Sequence, residues 1–252
     1  MRMRFFRCLI QAYLYLRYHF HQLTQTGAFG SKGAKFIDNF DTINGHALKK
    51  ALFKYYIKQF HESSCSVASV VTVINAIRST QKRAFIPITQ MEILEKVRTA
   101  HWKERMGPNG YHGRRGLPLS LLEKVMADSF AVYQVNYRKL MAVQMKKNSR
   151  RTSYLKKELL DRLITFEKQG RSVIVAHFDQ GVYLKSENIP HISPIGGFDQ
   201  SSGLVTILDV DHFQPNPYQI DFDTFYSGLA SDYHHVFRPF GYNSGGYIWI
   251  QL

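Results

Sequence analysis

Residues 190–198 read PHISPIGGF and residues 204–210 read LVTILDV, with DQSSG between them. Both flanks are short and apolar or β-branched, and Gln200–Gly203 supplies turn formers, so the pair reads as an antiparallel hairpin. His191 and Asp209 lie about equally far from the centre of that turn. Folded this way they come within cross-strand reach, where a carboxylate can fix the tautomer of an imidazole. Ser172–Phe178 (SVIVAHF) and Gly246–Leu252 (GYIWIQL) share the texture, which predicts an antiparallel β lobe over residues 171–252.

Upstream, residues 48–170 are mostly helical in pattern. Val67, Val70, Val71, Ile74 and Ile77 recur at spacings of three and four, which predicts an amphipathic helix. Leu117–Met126 and Leu155–Phe166 are further helical stretches, and Ser63 and Ser64 stand where N-cap residues belong. Cys65 opens the first of these helices. A thiol there feels the positive end of the macrodipole and unpaired backbone N–H groups, both of which favour the thiolate. Gln59, six residues earlier, can donate its side-chain amide to an oxyanion together with the N–H of Cys65. Taken singly, Cys65 reads equally as a buried apolar residue, His191 as a hydrogen-bonded sheet histidine and Asp209 as a strand-end turn former. Taken together, a helix-borne Cys followed by a His and an acid on a β lobe is the logic of a papain-type thiol site. The expected fold class is α+β, with the active site in the cleft between a helical and a β lobe. Residues 1–40 form a basic, aromatic extension and linker, and 41–252 the catalytic domain.

Composition narrows the alternatives. The chain has 252 residues, 44% hydrophobic and 21% charged, which is ordinary globular usage. With only Cys8 and Cys65, a disulfide framework or cysteine-based metal cluster is excluded. The net charge of +14 is uneven: residues 1–171 carry 31 basic and 11 acidic residues, and 172–252 carry 2 and 8. Arg138–Lys157 holds eight basic residues and no acidic one, and reads as a solvated helix or loop, a phosphate-binding surface, or a field that draws anionic substrate. Residues 1–23 contain four arginines and no acid. Their nine-residue charge-free run, Cys8–Leu16, is too short to span a bilayer. An export signal, a helix lying on an anionic membrane and a helix docked on the body all remain open for this segment. Gly27–Gly33 (GAFGSKG) has the wrong spacing for a phosphate-cradling loop and reads as a linker. His61 and the pair His234-His235 lack the spaced partners of a metal site, and no metal ligands are assigned. Arg114-Arg115 reads as an exposed loop or as a binder of a substrate carboxylate.

The string PHISPIGGF, with ILDV placing an aspartate eighteen residues after the histidine, resembles the catalytic core of the phytochelatin synthases. The resemblance runs from about Leu48 to Leu229. It implies a papain-like fold acting on glutathione, with Cys65, His191 and Asp209 as the triad and Gln59 in the oxyanion hole. It further implies cleavage of the Cys–Gly bond through a cysteine acyl-enzyme and transfer to a second glutathione or to water, in thiol metabolism and metal detoxification. No cofactor is bound by the protein on this reading; cadmium or zinc arrives as a thiolate complex of the substrate. His212, Gly196 and Gly197 are candidate substrate-binding residues, and the location is cytoplasmic.

The chain departs from the family's pattern at named places. Ser64 and Ser66 flank the nucleophile where an aromatic residue and a Gly are common, and His212 stands where a basic residue follows the triad aspartate. A second thiol-enzyme reading is a peptidase like the leader-peptidase domains of bacteriocin exporters, which share the Gln-x5-Cys start. A binder of nucleic acid or anionic membrane is the non-enzymatic alternative.

Overall fold

In the computed structural model, the structure describes residues 34–40, 43–81, 84–147, 151–184, 189–232, 242 and 244–252, with 8–10, 12–13, 15–16, 19–20 and 23 near the N-terminus. His234, His235, the Gly27–Gly33 stretch and the arginines of residues 1–7 lie outside these.

The architecture is α+β, built on an antiparallel sheet. Its strands are β1 (Lys35–Phe36), β2 (Lys139–Gln144), β3 (Ser172–Asp179), β4 (Pro190–Asp199), β5 (Leu204–Ile207), β6 (Tyr218–Asp221) and β7 (Gly246–Gln251). Across the sheet they run β1-β6-β5-β4-β3-β7-β2. Both faces are covered. In β3, Val173 and Val175 join the apolar cluster on one face, while Ile174, Ala176 and Phe178 join the cluster on the other. Successive side chains of a strand point to opposite faces, so a strand apolar at every position is buried on both.

One face carries α1 (Ala47–Lys54), α2 (Cys65–Gln81), α3 (Gln90–Lys96), α4 (Trp102–Met106) and α5 (Leu119–Val132). The other carries most of α6 (Thr152–Gln169), with α7 (Gln180–Leu184) and α8 (Phe222–Leu229). Every residue of α2 from Cys65 to Ile77 is buried. The helix is therefore a central one, apolar nearly all round, rather than the amphipathic helix its spacing predicts. Two of its polar residues find partners inside, while the Thr72 hydroxyl is buried without one: Ser69 donates to the Ile192 carbonyl at 2.9 Å, and Asn75 exchanges two hydrogen bonds with the Ile88 backbone.

The division into lobes is less clean than the sequence predicts. Residues 139–144, in the basic run, form an edge strand paired along its length with β7. The stretch has little β-branched character; the free edge of β7 dictates its conformation. Likewise Lys35–Phe36 of the N-terminal extension pairs with β6, so the extension contributes to the sheet. Two short helices, α7 and α8, lie in the predicted β lobe.

The β4–β5 hairpin forms as expected, with Asp199 opposite Leu204 and Gly197 opposite Thr206. A register shift follows between Ile195 and Gly197, where Gly196 is a bulge. Gly196 lies so close to Leu208 and Phe53 that an added Cβ would stand 2.9 Å from Leu208 Cδ2 and 3.0 Å from Phe53 Cζ. A Cβ at Gly197 would stand 3.2 Å from the Lys49 ammonium nitrogen, whose salt bridge to Glu167 measures 2.6 Å. This packing accounts for both glycines without a ligand.

Near the N-terminus, Leu9, Tyr13, Leu16, Phe20 and Leu23 are helical and exposed, spaced alternately four and three apart. Among the described residues, no helix is long and apolar enough to cross a membrane.

Replacing Gly196 with Ala should overpack the bulge and destabilise the protein by about 1–3 kcal/mol. A lowered urea midpoint at unchanged slope would register it.

Candidate active site

The turn before α2 is made by short-range hydrogen bonds. The Ser64 hydroxyl donates to the His61 carbonyl at 2.7 Å and accepts from the His61 N–H at 2.9 Å. It therefore turns back into the loop instead of capping α2, as the sequence predicts, and the N–H groups of the first helical turn are not covered by it. Ser66 accepts the indole N–H of Trp102 at 3.0 Å, in a fully buried contact. Both departures from the family pattern thus have structural partners in this chain.

Cys65, Gln59, His191 and Asp209 are all buried, and the fold brings Cys65, His191 and Asp209 together. His191 Nε2 donates to Asp209 Oδ1 at 2.7 Å. The contact is diagonal across the hairpin: past the bulge at Gly196 the register sets Asp209 opposite Ser193, two positions from His191 and on the same face. Cys65 stands near the same imidazole, and with Nε2 on Asp209 the ring nitrogen left for the thiol is Nδ1. Burial opposes a charge on His191, but the Asp209 carboxylate and the nearby Cys65 overcome it and hold the imidazole well above its ordinary value. Burial likewise opposes a charge on Asp209. The His191 charge and hydrogen bond, with the Asp211 N–H, pull it below the usual carboxylate range. Both shifts favour the imidazolium–carboxylate form of the pair.

Several partners escaped the sequence reading. The Tyr218 hydroxyl donates to Asp209 Oδ2 at 2.7 Å. Gln180 Nε2 lies 3.5 Å from the same oxygen and 3.0 Å from Asp211 Oδ2. Tyr56 and Lys58 both donate to the Asp209 carbonyl, Lys58 at 2.8 Å. A buried carboxylate needs such a set of donors, and a search for polar residues around it in space, not in sequence, is what finds them. Gln59 is anchored by its backbone N–H to the Val210 carbonyl at 2.7 Å, which ties the segment before the nucleophile to that of the triad acid. Its Oε1 is buried without a hydrogen-bond partner. His212 is exposed, its ring tilted against that of Phe213 with centroids 4.0 Å apart. Its charge bears on His61. Among the described residues no cluster of His, Cys, Asp and Glu could hold a metal ion. His61 is bound up with Ser63, whose hydroxyl lies 3.2 Å from its Nδ1.

The arrangement can do nucleophilic acyl chemistry: a thiol at a helix N-terminus, a charged imidazole beside it, and a buried carboxylate that orients the ring. Replacing Asp209 with Asn should remove the counter-charge of the imidazolium and slow alkylation of Cys65 by iodoacetamide at pH 7 by about tenfold or more. Peptide mass spectrometry resolves Cys65 from Cys8. A second expectation concerns the fully buried His177, which burial holds at about 4, below its ordinary 6.5. A base depressed by folding contributes stability that is complete above pH 6.5 and is lost as pH falls toward about 4. Urea titrations across that window should show the decline, and a variant with His177 replaced by Gln should flatten it.

No curated protein aligns significantly with this chain. A family model described as phytochelatin synthase matches residues 30–242, a span that contains Gln59, Cys65, His191 and Asp209. The match covers well over half of the sequence and agrees with the α+β architecture, and the chain belongs to the phytochelatin synthase family.

Proposed function

We propose that the protein is a thiol-dependent glutathione γ-glutamylcysteinyltransferase. The observation that supports this reading is the buried His191–Asp209 pair with Cys65 near the imidazole, in a chain of this family. The Cys65 thiolate attacks the carbonyl carbon of the Cys–Gly amide. The oxyanion is held by the Cys65 N–H and the Gln59 side-chain amide. His191 gives its Nδ1 proton to the departing glycine nitrogen, and the C–N bond breaks to leave a γ-glutamylcysteinyl thioester on Cys65. The incoming nucleophile, the amine of a second glutathione or water, loses its proton to His191 and displaces the Cys65 thiolate. Transfer to glutathione lengthens the peptide by one γ-glutamylcysteine; transfer to water releases γ-glutamylcysteine. Throughout, Asp209 keeps its charge and holds the ring, as its lowered value supports. Cadmium or zinc enters with the substrate, as a thiolate complex of glutathione.

The test is mass spectrometry of the protein incubated with glutathione, with and without sub-stoichiometric cadmium, beside a Cys65→Ser control. Free glycine with either γ-glutamylcysteine or (γGlu-Cys)n-Gly is expected, and only from the unsubstituted protein. Absence of Cys65-dependent glycine release in both tubes would overturn the reading.

The location we propose is cytoplasmic, where thiols are kept reduced. The exposed stripe of Leu9, Tyr13, Leu16, Phe20 and Leu23, with four arginines and no acid in residues 1–23, supports contact with an anionic membrane surface. Vesicles containing phosphatidylserine should carry the protein down on sedimentation, and neutral phosphatidylcholine vesicles should not. A chain without residues 1–23 that still sediments with the anionic vesicles would assign binding to the basic surface elsewhere.

A further inference from the structure

Arg115 stands beside the turn that delivers the nucleophile. Its Nη2 lies 3.1 Å and its Nε 3.3 Å from the hydroxyl of Ser63, two residues before Cys65. Its backbone carbonyl accepts from the hydroxyl of Tyr242 at 3.3 Å. Tyr242 is buried near the thiol: burial first, and then the Cys65 charge, push its hydroxyl up. Gly116 holds a left-handed backbone at φ +66° directly under the Tyr242 hydroxyl, which any side chain there would strike. The guanidinium is thus carried to the nucleophile's turn by a loop that a close contact fixes in place.

The charge of Arg115 is only loosely matched. Its ion-pair partner is Glu62, at 3.4 Å, with the two side chains 32% and 40% exposed. Such a long, wet pair is worth little and yields readily to another carboxylate. Arg115 Nη1 makes no hydrogen bond among the described residues. The neighbouring imidazoles do not compete for the role. His61 is lowered by burial and by the Arg115 charge, and its Nδ1 lies 3.2 Å from the Ser63 hydroxyl, while His212 packs against Phe213. A planar cation with free donors and a weak partner, set beside a nucleophile, is built to take a carboxylate in a two-pronged grip.

We propose that Arg115 is the substrate-recognition residue of this active site, binding a carboxylate of the peptide next to the amide that Cys65 attacks. Its place in the site does not depend on which peptide is cleaved. The identity of the carboxylate rests on the glutathione reading, and glutathione offers two: that of the terminal glycine and the α-carboxylate of the γ-glutamyl residue. On binding, the guanidinium exchanges Glu62 for the substrate, so peptides without an anionic group at that position are poor substrates.

The first arm of the test needs no substrate. Full-length protein and its Arg115→Ala and Arg115→Lys variants are alkylated with iodoacetate, which is anionic, and iodoacetamide, which is neutral. Modification is followed separately at Cys65 and at Cys8, which is exposed. At Cys65 the iodoacetate-to-iodoacetamide rate ratio should fall about tenfold in Arg115→Ala and partly recover in Arg115→Lys, and the difference should shrink with added salt. The ratio at Cys8 should not move. An unchanged iodoacetamide rate at Cys65 shows that the fold and the thiol are intact, and an equal ratio in all three proteins overturns the proposal.

The second arm identifies the carboxylate by comparing glutathione, its glycine ethyl ester and the analogue in which γ-aminobutyrate replaces the γ-glutamyl residue. Arg115→Ala should raise KM for glutathione about tenfold to a hundredfold with a smaller change in kcat. It should have no effect on kcat/KM for the analogue that lacks the recognised carboxylate. Equal losses on all three substrates would overturn the proposal. If the unsubstituted protein releases no glycine from glutathione, the glutathione reading fails, and the alkylation ratios still decide the role of Arg115.

Discussion

A carboxylate with no exposure to water governs the organisation of this protein. An ion taken out of solvent costs several kcal/mol unless donors replace the water, so the placement of Asp209 obliges the chain to collect them. They come from widely separated segments: His191 from β4, Tyr218 from β6, Gln180 from α7, and the N–H of Asp211 two residues on. Tyr56 and Lys58, from the segment between α1 and α2, hold the carbonyl of the same residue. One residue therefore joins β4, β6 and α7 to the segment between α1 and α2. The imidazolium that results is available to the thiol on its other side.

The scaffold holds that pair by two further devices. The bulge at Gly196 turns the hairpin so that Asp209 meets His191 diagonally, and Ser193 on the same strand accepts the N–H of Val210 at 3.2 Å. The Ser69 hydroxyl, one turn along α2 from Cys65, bonds to the carbonyl of Ile192, next to His191. Helix and strand are thus pinned within four residues of both reacting side chains, which suits a thiol site whose geometry must be held before substrate arrives.

Much of this was legible in the amino-acid sequence because it is local. The hairpin announces itself by two apolar runs around a turn, and it carries His191 and Asp209 within nineteen residues. The nucleophile announces itself by its place at the head of a helix. The donors around Asp209 were not legible, since no spacing links Gln180 or Tyr218 to it; the sheet order brings them in. The basic stretch around Lys139–Gln144 misled because a strand at a sheet edge takes its conformation from its neighbour rather than from its own residues. The serines before Cys65 misled for the opposite reason. Their composition suits a helix cap, but Ser64 satisfies the loop behind it.

The hydrogen bond between Trp102 and Ser66 gives the site an optical property. The chain has two tryptophans. Trp102 is fully enclosed, with its indole N–H on the residue next to the nucleophile, while Trp249 lies under the guanidinium of Arg162 at 4.3 Å, on a strand remote in sequence from the thiol. Indole emission responds to the polarity and hydrogen bonding of its surroundings, so the two fluorophores report on different regions. Formation of a thioester at Cys65 alters the charge and hydrogen bonding one residue from the enclosed indole. On the proposed mechanism the protein would thereby carry its own reporter of the acyl-enzyme, whose lifetime could be followed by its light without any label.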